Sequence, residues 1–502
     1  TTLFRSAHKE PTVLVCTSGS AVAHYLPAIL EAQYSGVPLI VLSADRPYTL
    51  LHTGAPQTVD QQKIFGTAVN YYEELAVPQK EHYYTYPRQV ARKAYMKAMD
   101  IKKGPVHINV PLFEPLVPEL DRKHFEAGRS PYKVFKPNYG DVFSYQNRSN
   151  NTSNTSNASD VSYTKNTTDN SANNTNNFNN TNNANNFNLL LEQYKRVLIL
   201  AGPQINVDEV ESIHSFAENL QAPILADPLS NVRRCHKTGA IVANHDVASN
   251  LNNDTDMIQK KHFSDVVIST YDAFLADKDL WPVLKPDCVI QFGQIVVSKR
   301  VQQMVASWDN VEYIEINPTM DSMNPTGKTT MHMQASIDMF THLFAVKNES
   351  NAYLNRWQRL DVAGKAQLST AIEEPSCFEG RTIRELQQHI SDNSQVLVAN
   401  SMTIRDFDYF WFSGESDAVL YGNRGVNGID GTVSTALGLA TNHQPTYLVM
   451  GDLSLFHDLN SLAVAKTHNL NLTIILHNND GGGIFEYLPQ KGTKRSEEHT
   501  SE

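Results

Sequence analysis

The segment TYLVMGDLS at residues 446–454, taken together with LTIILHNNDGG at residues 472–482, decides the fold of this chain. Each segment opens with an apolar run typical of a buried strand and closes with polar residues and glycine. A helical pattern at residues 458–466 separates the two strands. A strand–helix–strand crossover brings the carboxyl ends of both parallel strands to one sheet edge, so Asp452 and Asn479 are predicted to be neighbours there.

The polar residues at these two strand ends form an oxygen-rich set. The Asp452 carboxylate, the Asn479 amide oxygen and a backbone carbonyl of the following turn suit Mg²⁺, which prefers oxygen ligands in octahedral geometry. Such an ion keeps positions for diphosphate oxygens, and the glycines allow the backbone to approach phosphates closely. The competing interpretation is structural: an Asp that caps a helix, followed by an Asn-Asn turn.

The same alternation of strand and helix patterns continues along most of the chain. A helix is predicted at residues 21–34. The predicted strands fall in three groups: 11–16, 38–43 and 105–110; 196–201, 287–292 and 311–316; 395–399, 446–450 and 472–476. This alternation is typical of parallel sheets covered by helices, and it predicts an α/β fold of three consecutive parallel-sheet domains.

The domain boundaries follow changes in composition. The first domain is assigned to residues 1–125, the central domain to residues 191–347 and the third domain to residues 381–494. Residues 126–190 form a linker whose Asn-rich part has too few apolar residues to offset its ordering entropy, so we expect a disordered insertion there. Residues 348–380 are polar and helix-prone, and they are assigned as a connector.

The composition excludes several classes of protein. The chain is 41% hydrophobic and 19% charged, which is typical of a globular protein. Its net charge of −11 argues against a partner made of nucleic acid. No apolar run reaches the roughly 18 residues that a membrane-spanning helix needs. The cysteines lack a CxxC pattern and suit reduced, buried thiols, so we expect a cytoplasmic protein.

Further motifs stand in order along nearly the whole chain. They are TSGSAVAHYLPAILEA (17–32), LSADRP (42–47), GAPQ (54–57), GPVHINVP (104–111), VSKR (297–300), NSMTIRDFD (400–408), NRGVNGIDG (423–431), GDLSLFHDLNSLA (451–463) and NNDGGGIFEYLP (478–489). Together these motifs resemble the 2-succinyl-5-enolpyruvyl-6-hydroxy-3-cyclohexene-1-carboxylate synthases, a family of thiamine-diphosphate enzymes in menaquinone biosynthesis. The pair formed by the NRGVNGIDG and GDLSLFHDLNSLA motifs is the most specific part of the resemblance.

The resemblance implies a transferase that forms a carbon–carbon bond. Such an enzyme decarboxylates 2-oxoglutarate and adds the succinyl unit to isochorismate, with thiamine diphosphate and Mg²⁺ or Mn²⁺ as cofactors. The first domain then binds the pyrimidine ring and the third domain binds the diphosphate, with the metal held by Asp452, Asn479 and the Gly481 carbonyl. The resemblance also implies a homodimer or homotetramer, in which the cofactor lies between the first domain of one subunit and the third domain of another.

Both implied substrates carry several carboxylates, which guanidinium groups bind bidentately. The candidate substrate-binding residues lie in the matching motifs: Arg46, Lys299, Arg300, Ser401, Arg405 and Arg424. Ser401 can donate to a carboxylate beside Arg405. Each of these basic residues taken alone is more often part of a surface ion pair, so the motifs carry the assignment.

The resemblance also implies a set of residues around the cofactor. Gln57 matches a glutamine that reaches the reacting carbon, where an amide can donate to an enolate-like intermediate. The residues expected against the cofactor are Ser401, Ile429, Ile484, Phe485 and Leu488. Ile429 matches the apolar residue that supports the bent cofactor, and the last three are expected to form an apolar wall that lowers the local dielectric.

The chain departs from the family pattern in several places. Phe113 stands where the family usually has an arginine, before Glu114. The glutamate that activates the pyrimidine ring is expected a few residues before Thr1. A substrate-binding Ser-Arg pair of the family is expected further upstream. Residues 495–502, RSEEHTSE, match the translation of a common sequencing adapter. We therefore expect a chain truncated at both ends, inactive as it stands, with a third domain that lacks its last strands.

Two alternatives remain at this point. One is a different thiamine-diphosphate carboligase or decarboxylase, such as an acetohydroxyacid synthase-like enzyme; the cluster of arginines disfavours it, because pyruvate-type substrates need fewer of them. The other is an inactive, NAD-binding or regulatory α/β protein. The absence of a GxGxxG pattern after any predicted strand disfavours dinucleotide binding.

Overall fold

The computed structural model describes residues 10–53, 55–77, 85–113, 191–203, 205–235, 265–319, 322–343, 352–373, 378–482 and 484. Within these residues the strands form three sheets of four, six and four strands, and every strand pairing is parallel. The prediction of three α/β units in series is confirmed. The Asn-rich segment and the tail at residues 495–502 lie outside the described residues, and the domain boundaries stay predictions.

The first unit is a four-stranded sheet in the order β1-β2-β4-β3. Its strands are β1 (Thr12–Cys16), β2 (Leu39–Asp45), β3 (Tyr71–Glu74) and β4 (Pro105–Pro111), and its helices are α1 (Ser20–Ala23), α2 (Leu26–Tyr34) and α3 (Thr85–Ala98). The inner strand β4 is buried along nearly its whole length because helices cover both faces of the sheet.

The helix predicted at residues 21–34 is confirmed except for a break at residues 24–25, which divides it into α1 and α2. Pro27 lies in the first turn of α2, where its missing N–H has no intrahelical role. One continuous helix would place this proline in the interior, where it removes a hydrogen bond and clashes with the preceding turn. The break therefore follows from Pro27.

The second unit is a six-stranded sheet in the order β10-β9-β8-β5-β6-β7. Its strands are β5 (Val197–Ala201), β6 (Ile224–Ala226), β7 (Val267–Ile268), β8 (Cys288–Phe292), β9 (Glu312–Asn317) and β10 (Met331–Gln334). Its helices are α4 (Val210–Leu220), α5 (Tyr271–Phe274), α6 (Leu280–Val283), α7 (Lys299–Ser307) and α8 (Ile337–Leu343). The connector forms α9 (Ala352–Glu373), which buries Trp357 completely against this unit.

The third unit is a four-stranded sheet in the order β12-β11-β13-β14. Its strands are β11 (Gln395–Val398), β12 (Val419–Tyr421), β13 (Thr446–Gly451) and β14 (Leu472–His477). Its helices are α10 (Glu379–His389), α11 (Met402–Phe410), α12 (Thr432–Ala440), α13 (Asp452–His457) and α14 (Leu462–His468). The helix predicted at residues 458–466 is confirmed in part: residues Leu459–Ser461 form a 3₁₀ turn, and the α-helix α14 begins only at Leu462.

A buried guanidinium joins the second and third units. Arg233 is 1% exposed, and its Nη2 lies 2.5 Å from a carboxylate oxygen of Asp408. The same guanidinium donates to the carbonyls of Ala226 (2.6 Å) and Trp411 (2.9 Å). A charge this deeply buried is tolerated only with a counter-charge and a full set of acceptors, so the two units are packed as one body around it.

No helix in the described ranges is both long enough and apolar enough to span a membrane.

Candidate active site

The edge formed by the carboxyl ends of β13 and β14 holds the predicted metal-binding residues. The two strands are paired in register up to Gly451 and His477, so the residues that follow them meet. Asp452 is the first residue of α13, and its Oδ2 accepts a hydrogen bond of 2.8 Å from the Gly481 backbone N–H. Its Oδ1 accepts from the Leu453 N–H at 2.7 Å. The crossover geometry thus brings Asp452 against the turn that follows Asn479.

The turn after β14 owes its shape to a run of left-handed residues. Asp480, Gly481 and Gly482 have φ values of 59°, 86° and 68°. Glycine adopts this conformation without the steric cost that a side chain brings, which accounts for the two glycines. The Asn479 side chain is exposed beside them. The loop therefore presents an amide and backbone groups next to the Asp452 carboxylate.

The donor set at this edge fits a hard, oxygen-preferring cation. It offers one carboxylate, one exposed amide oxygen and the carbonyls of a glycine turn, which is the chemistry that Mg²⁺ binds. In the part of the chain that the structure describes, no three His, Cys, Asp or Glu side chains cluster in a metal-binding arrangement. A cation here would therefore need backbone and diphosphate oxygens in addition to Asp452.

Two guanidinium groups lie near each other in the third unit. Nη1 of Arg424 donates to Oδ1 of Asn400 at 2.6 Å, whereas its buried Nε has no hydrogen-bond partner. Burial lowers the pKa of Arg424; the positive charge of Arg405 adds to this effect, and the carboxylates of Asp227 and Glu31 oppose it. A buried N–H without an acceptor is rare in proteins, so this donor is available to a ligand.

Arg405 and Ser401 occupy the start of α11. The Arg405 guanidinium is exposed and donates to the backbone carbonyl of Ser401. Ser401 has a φ of 69°, a left-handed conformation that is uncommon for a residue with a side chain. A strained backbone conformation persists only where the surrounding structure holds it in place. Such residues are found mainly at functional sites.

Asn400 connects these two groups to the loop of residues 423–428. Its Nδ2 donates to the carbonyls of Asn423 (2.8 Å) and Gly428 (2.7 Å), while its Oδ1 accepts from Arg424. Asn400 is 5% exposed, and its side chain is satisfied on both sides. The loop and the Arg424 guanidinium are therefore held in place from the end of β11. Ile429 follows this loop and is half-buried.

The two basic candidates from the second unit differ from each other. Lys299, the first residue of α7, is exposed. Arg300 is paired with Asp272 at 2.5 Å, and it also donates to the hydroxyl of Tyr409. The charge of Arg300 is thus already matched by a carboxylate, in contrast to that of Arg424. Substrate binding by these two residues stays a prediction.

The candidates from the first unit lie at the carboxyl edge of its sheet. Arg46 follows β2 and lines a cavity of about 570 Å³ together with Asp45, Glu74 and Phe113. Gln57 is exposed and has a left-handed backbone conformation, with a φ of 54°.

The residues expected to form the apolar wall over the cofactor follow the third sheet. Of these, Ile484 is half-buried, whereas Phe485 and Leu488 lie outside the described residues.

A buried polar network lies beneath this first edge, and sequence patterns did not predict it. Gln61 is fully buried; its Oε1 accepts from the Gly19 N–H at 2.8 Å, and its Nε2 donates to Asn109 Oδ1 at 3.0 Å. Ser43 bonds both to Asn109 and to His107, and burial lowers the pKa of His107 to about 4. The polar residues in the otherwise apolar strand β4 were the available signal.

Comparison with known protein families identifies all three units. The family model "Thiamine pyrophosphate enzyme, N-terminal TPP binding domain" matches residues 2–64. "Middle domain of thiamine pyrophosphate" matches residues 255–398, and "Thiamine pyrophosphate enzyme, C-terminal TPP binding domain" matches residues 401–502. The structure pairs β11 with the strands of the third unit, although the middle-domain match extends to residue 398.

Individual relatives narrow the assignment. A 2-succinyl-5-enolpyruvyl-6-hydroxy-3-cyclohexene-1-carboxylate synthase from Lactococcus lactis subsp. cremoris is 42% identical over 491 residues, which are 97% of this chain and 76% of the relative. Enzymes of the same name from Desulfitobacterium hafniense and Bacillus cytotoxicus are 40% and 35% identical; each match covers 97% of this chain, and 76% and 74% of those relatives. The chain belongs to this synthase family.

Membership of the synthase family confirms the predicted class of enzyme, a thiamine-diphosphate-dependent carboligase of the transferase type. It supports the first interpretation rather than the acetohydroxyacid synthase-like or dinucleotide-binding alternatives. The roles of the individual residues stay predictions, and the geometry described above is their support.

Proposed function

We propose that the protein decarboxylates 2-oxoglutarate and adds the succinyl unit to isochorismate, giving 2-succinyl-5-enolpyruvyl-6-hydroxy-3-cyclohexene-1-carboxylate for menaquinone biosynthesis. The observation that carries the proposal is the buried Nε of Arg424, which lacks an acceptor and lies within the electrostatic range of Arg405. Two guanidinium groups with unused donors form a site for a dicarboxylic substrate. The names of the relatives support the same reaction.

The third unit would hold the diphosphate end of the cofactor through a metal ion. Asp452, Asn479 and the Gly481 carbonyl are the proposed ligands, with Mg²⁺ or Mn²⁺ as the ion. Support comes from the hydrogen bond between Asp452 and Gly481, which joins the two strand ends, and from the exposure of Asn479 beside it. Thiamine diphosphate supplies, when bound, the reactive carbon that accepts the acyl unit of the oxo acid.

The remaining candidates would bind, orient and shield the substrates. Arg405 and Arg424 would bind the distal carboxylate of 2-oxoglutarate, and Ser401 would donate to it from the start of α11. Arg46, which lines the cavity of the first unit, and the exposed Lys299 would bind carboxylates of isochorismate. Arg300 is the weakest of these candidates, because Asp272 already neutralises it.

Other groups would act close to the reacting atoms. Gln57 would donate its amide N–H to the oxygen that becomes negative as the new bond forms, which stabilises the transition state. Ile429, Ile484, Phe485 and Leu488 would exclude water from the reacting centre. For Gln57 the structural support is its exposed position at the carboxyl edge of the first sheet.

We further propose that two copies of the chain assemble around the cofactor and that the enzyme works in the cytoplasm. The apolar side chains of Leu453, Phe456 and Leu459 are 50%, 79% and 46% exposed beside the Asp452 edge. An exposed apolar cluster of this kind typically marks a protein–protein contact. Among the described residues, Cys16 and Cys288 are free thiols, as expected in a reducing compartment.

Steady-state kinetics with the full-length protein, thiamine diphosphate and Mg²⁺ tests the proposed reaction. The expected result is consumption of isochorismate that depends on 2-oxoglutarate, with release of one CO₂ for each product formed. A preference for pyruvate over 2-oxoglutarate would instead favour an acetohydroxyacid synthase-like activity.

A further inference from the structure

A carboxylate of the first unit caps the loop that carries Arg424. Glu31 lies on α2, and its two carboxylate oxygens accept hydrogen bonds from consecutive backbone N–H groups, those of Gly425 and Val426, each at 2.9 Å. The Ser35 hydroxyl donates to Glu31 Oε1 at 2.8 Å and orients the carboxylate from the same helix. These bonds connect residues 394 and 395 positions apart in the chain.

The loop approaches α2 so closely that only glycine fits at position 425. A Cβ atom there would lie 2.6 Å from the Ser35 hydroxyl oxygen and 2.7 Å from the Glu31 carbonyl oxygen. Gly425 is not among the residues with positive φ, so its backbone conformation does not require glycine. The absence of a side chain at this position therefore serves the contact between the two units.

The same contact acts on the neighbouring guanidinium. Arg424 directly precedes Gly425. Burial and the charge of Arg405 lower the pKa of the Arg424 guanidinium, and the negative charge of Glu31 opposes this effect. Asn400 holds the Arg424 guanidinium from the third unit, whereas Glu31 holds the following backbone from the first unit. The position of Arg424 is thus determined by groups from both units.

We propose that Glu31 is a positioning residue for the 2-oxo acid site. By fixing the loop next to Arg424, it sets the affinity for the distal carboxylate of the substrate, although it does not touch the substrate. The inference rests on the proposed function of the site.

The test is the Glu31→Gln variant of the full-length enzyme. A glutamine side chain keeps one acceptor oxygen but turns an NH₂ group toward the second backbone N–H. Loss of one hydrogen bond to a charged group predicts a KM for 2-oxoglutarate about 10-fold higher, with kcat changed by less than about twofold. Residual turnover of pyruvate, which lacks the distal carboxylate, should keep its KM within about twofold. Glu211→Gln, an exposed charge-matched change on α4, should leave both KM values unchanged.

A double-mutant cycle separates positioning from a general structural role. If Glu31 acts through Arg424, the second change should matter little once Arg424 is gone. The double variant Glu31→Gln/Arg424→Ala should therefore have a kcat/KM for 2-oxoglutarate within about twofold of that of Arg424→Ala alone. Gly425→Ala disturbs the same contact from the other side and should raise the KM for 2-oxoglutarate selectively; it replaces Glu31→Gln if that variant does not fold.

Each alternative outcome has a distinct meaning. Equal losses for 2-oxoglutarate and pyruvate, or additive losses in the cycle, would overturn the positioning role and leave the proposed function intact. A wild-type enzyme that does not use 2-oxoglutarate would overturn the proposed function, and the role of Glu31 with it.

Discussion

Replacing Asp452 with asparagine is the sharpest test of the proposed cofactor site. The Asp452 carboxylate accepts backbone hydrogen bonds of 2.7 and 2.8 Å from Leu453 and Gly481, one on each oxygen. Asparagine retains one acceptor oxygen and turns an NH₂ group toward the other N–H. The variant therefore loses one hydrogen bond to a charged group, worth about 1.5–3 kcal/mol, and also the only anionic ligand proposed for the metal.

Loss of the anionic ligand predicts thiamine diphosphate binding weaker by at least about 10- to 150-fold, because this charge-assisted contact of about 1.5–3 kcal/mol is made only in the complex and 1.4 kcal/mol corresponds to a factor of 10. Isothermal titration calorimetry in excess Mg²⁺ measures the affinity directly, without any need for turnover. Asp480→Asn is a matched control: it removes the same charge from the same turn, and asparagine tolerates the left-handed φ of 59° at that position. Its affinity should equal that of the wild type.

The outcome that refutes this reasoning is wild-type affinity for thiamine diphosphate in both the Asp452→Asn and the Asp480→Asn variants. Asp452 would then serve only as a helix-initiating residue that closes the turn after β14. A comparable loss in both variants would mean that the net charge of the turn, rather than a specific ligand, governs binding.

Three further predictions concern specificity, pH and stability. Arg405→Ala should weaken the use of 2-oxoglutarate by about 10- to 150-fold and scarcely change that of pyruvate in side-by-side kinetics; equal losses would assign Arg405 to the fold. Because the pKa of His107 falls from 6.5 to about 4 on folding, the unfolded chain takes up a proton that the folded chain does not, so stability falls between pH 6.5 and 4. His107→Gln should remove up to about 3 kcal/mol of that pH dependence in denaturant unfolding, and an unchanged profile would contradict a neutral His107. Asp408→Ala should lower the free energy of unfolding by about 3–5 kcal/mol, since it leaves the Arg233 charge buried without a partner; a loss below about 1 kcal/mol would contradict this account.

The strongly patterned strands were predictable, and the short strands, most of which lie at sheet edges, were not. Runs such as VLILA in β5 and LVM in β13 are apolar throughout, because a central parallel strand is buried on both faces. The missed strands have two to four residues, and several contain polar residues: β3 reads YYEE and β10 reads MHMQ. Their pairing with a neighbouring strand, rather than any local preference, makes them strands.

The same distinction applies to the candidate site. Asp452 and Asn479 could be placed near each other because the crossover rule fixes where adjacent parallel strands end. No local rule relates Glu31 to Gly425, since their contact depends on how the first and third units pack. Glu31 is the only acidic residue of α2, a weak signal that patterns of amphipathicity treat as an exposed position.

The buried guanidinium of Arg233 also limits how this enzyme can recombine with its relatives. Arg233 belongs to the middle unit, whereas the acceptors on Asp408 and Trp411 belong to the third. A chimera whose junction falls between the two units inherits a buried cation from one parent and must find its counter-ion in the other. Where the other parent has no acidic residue at the position of Asp408, the exchange leaves the Arg233 charge unmatched, so we expect functional chimeras to keep the two units together.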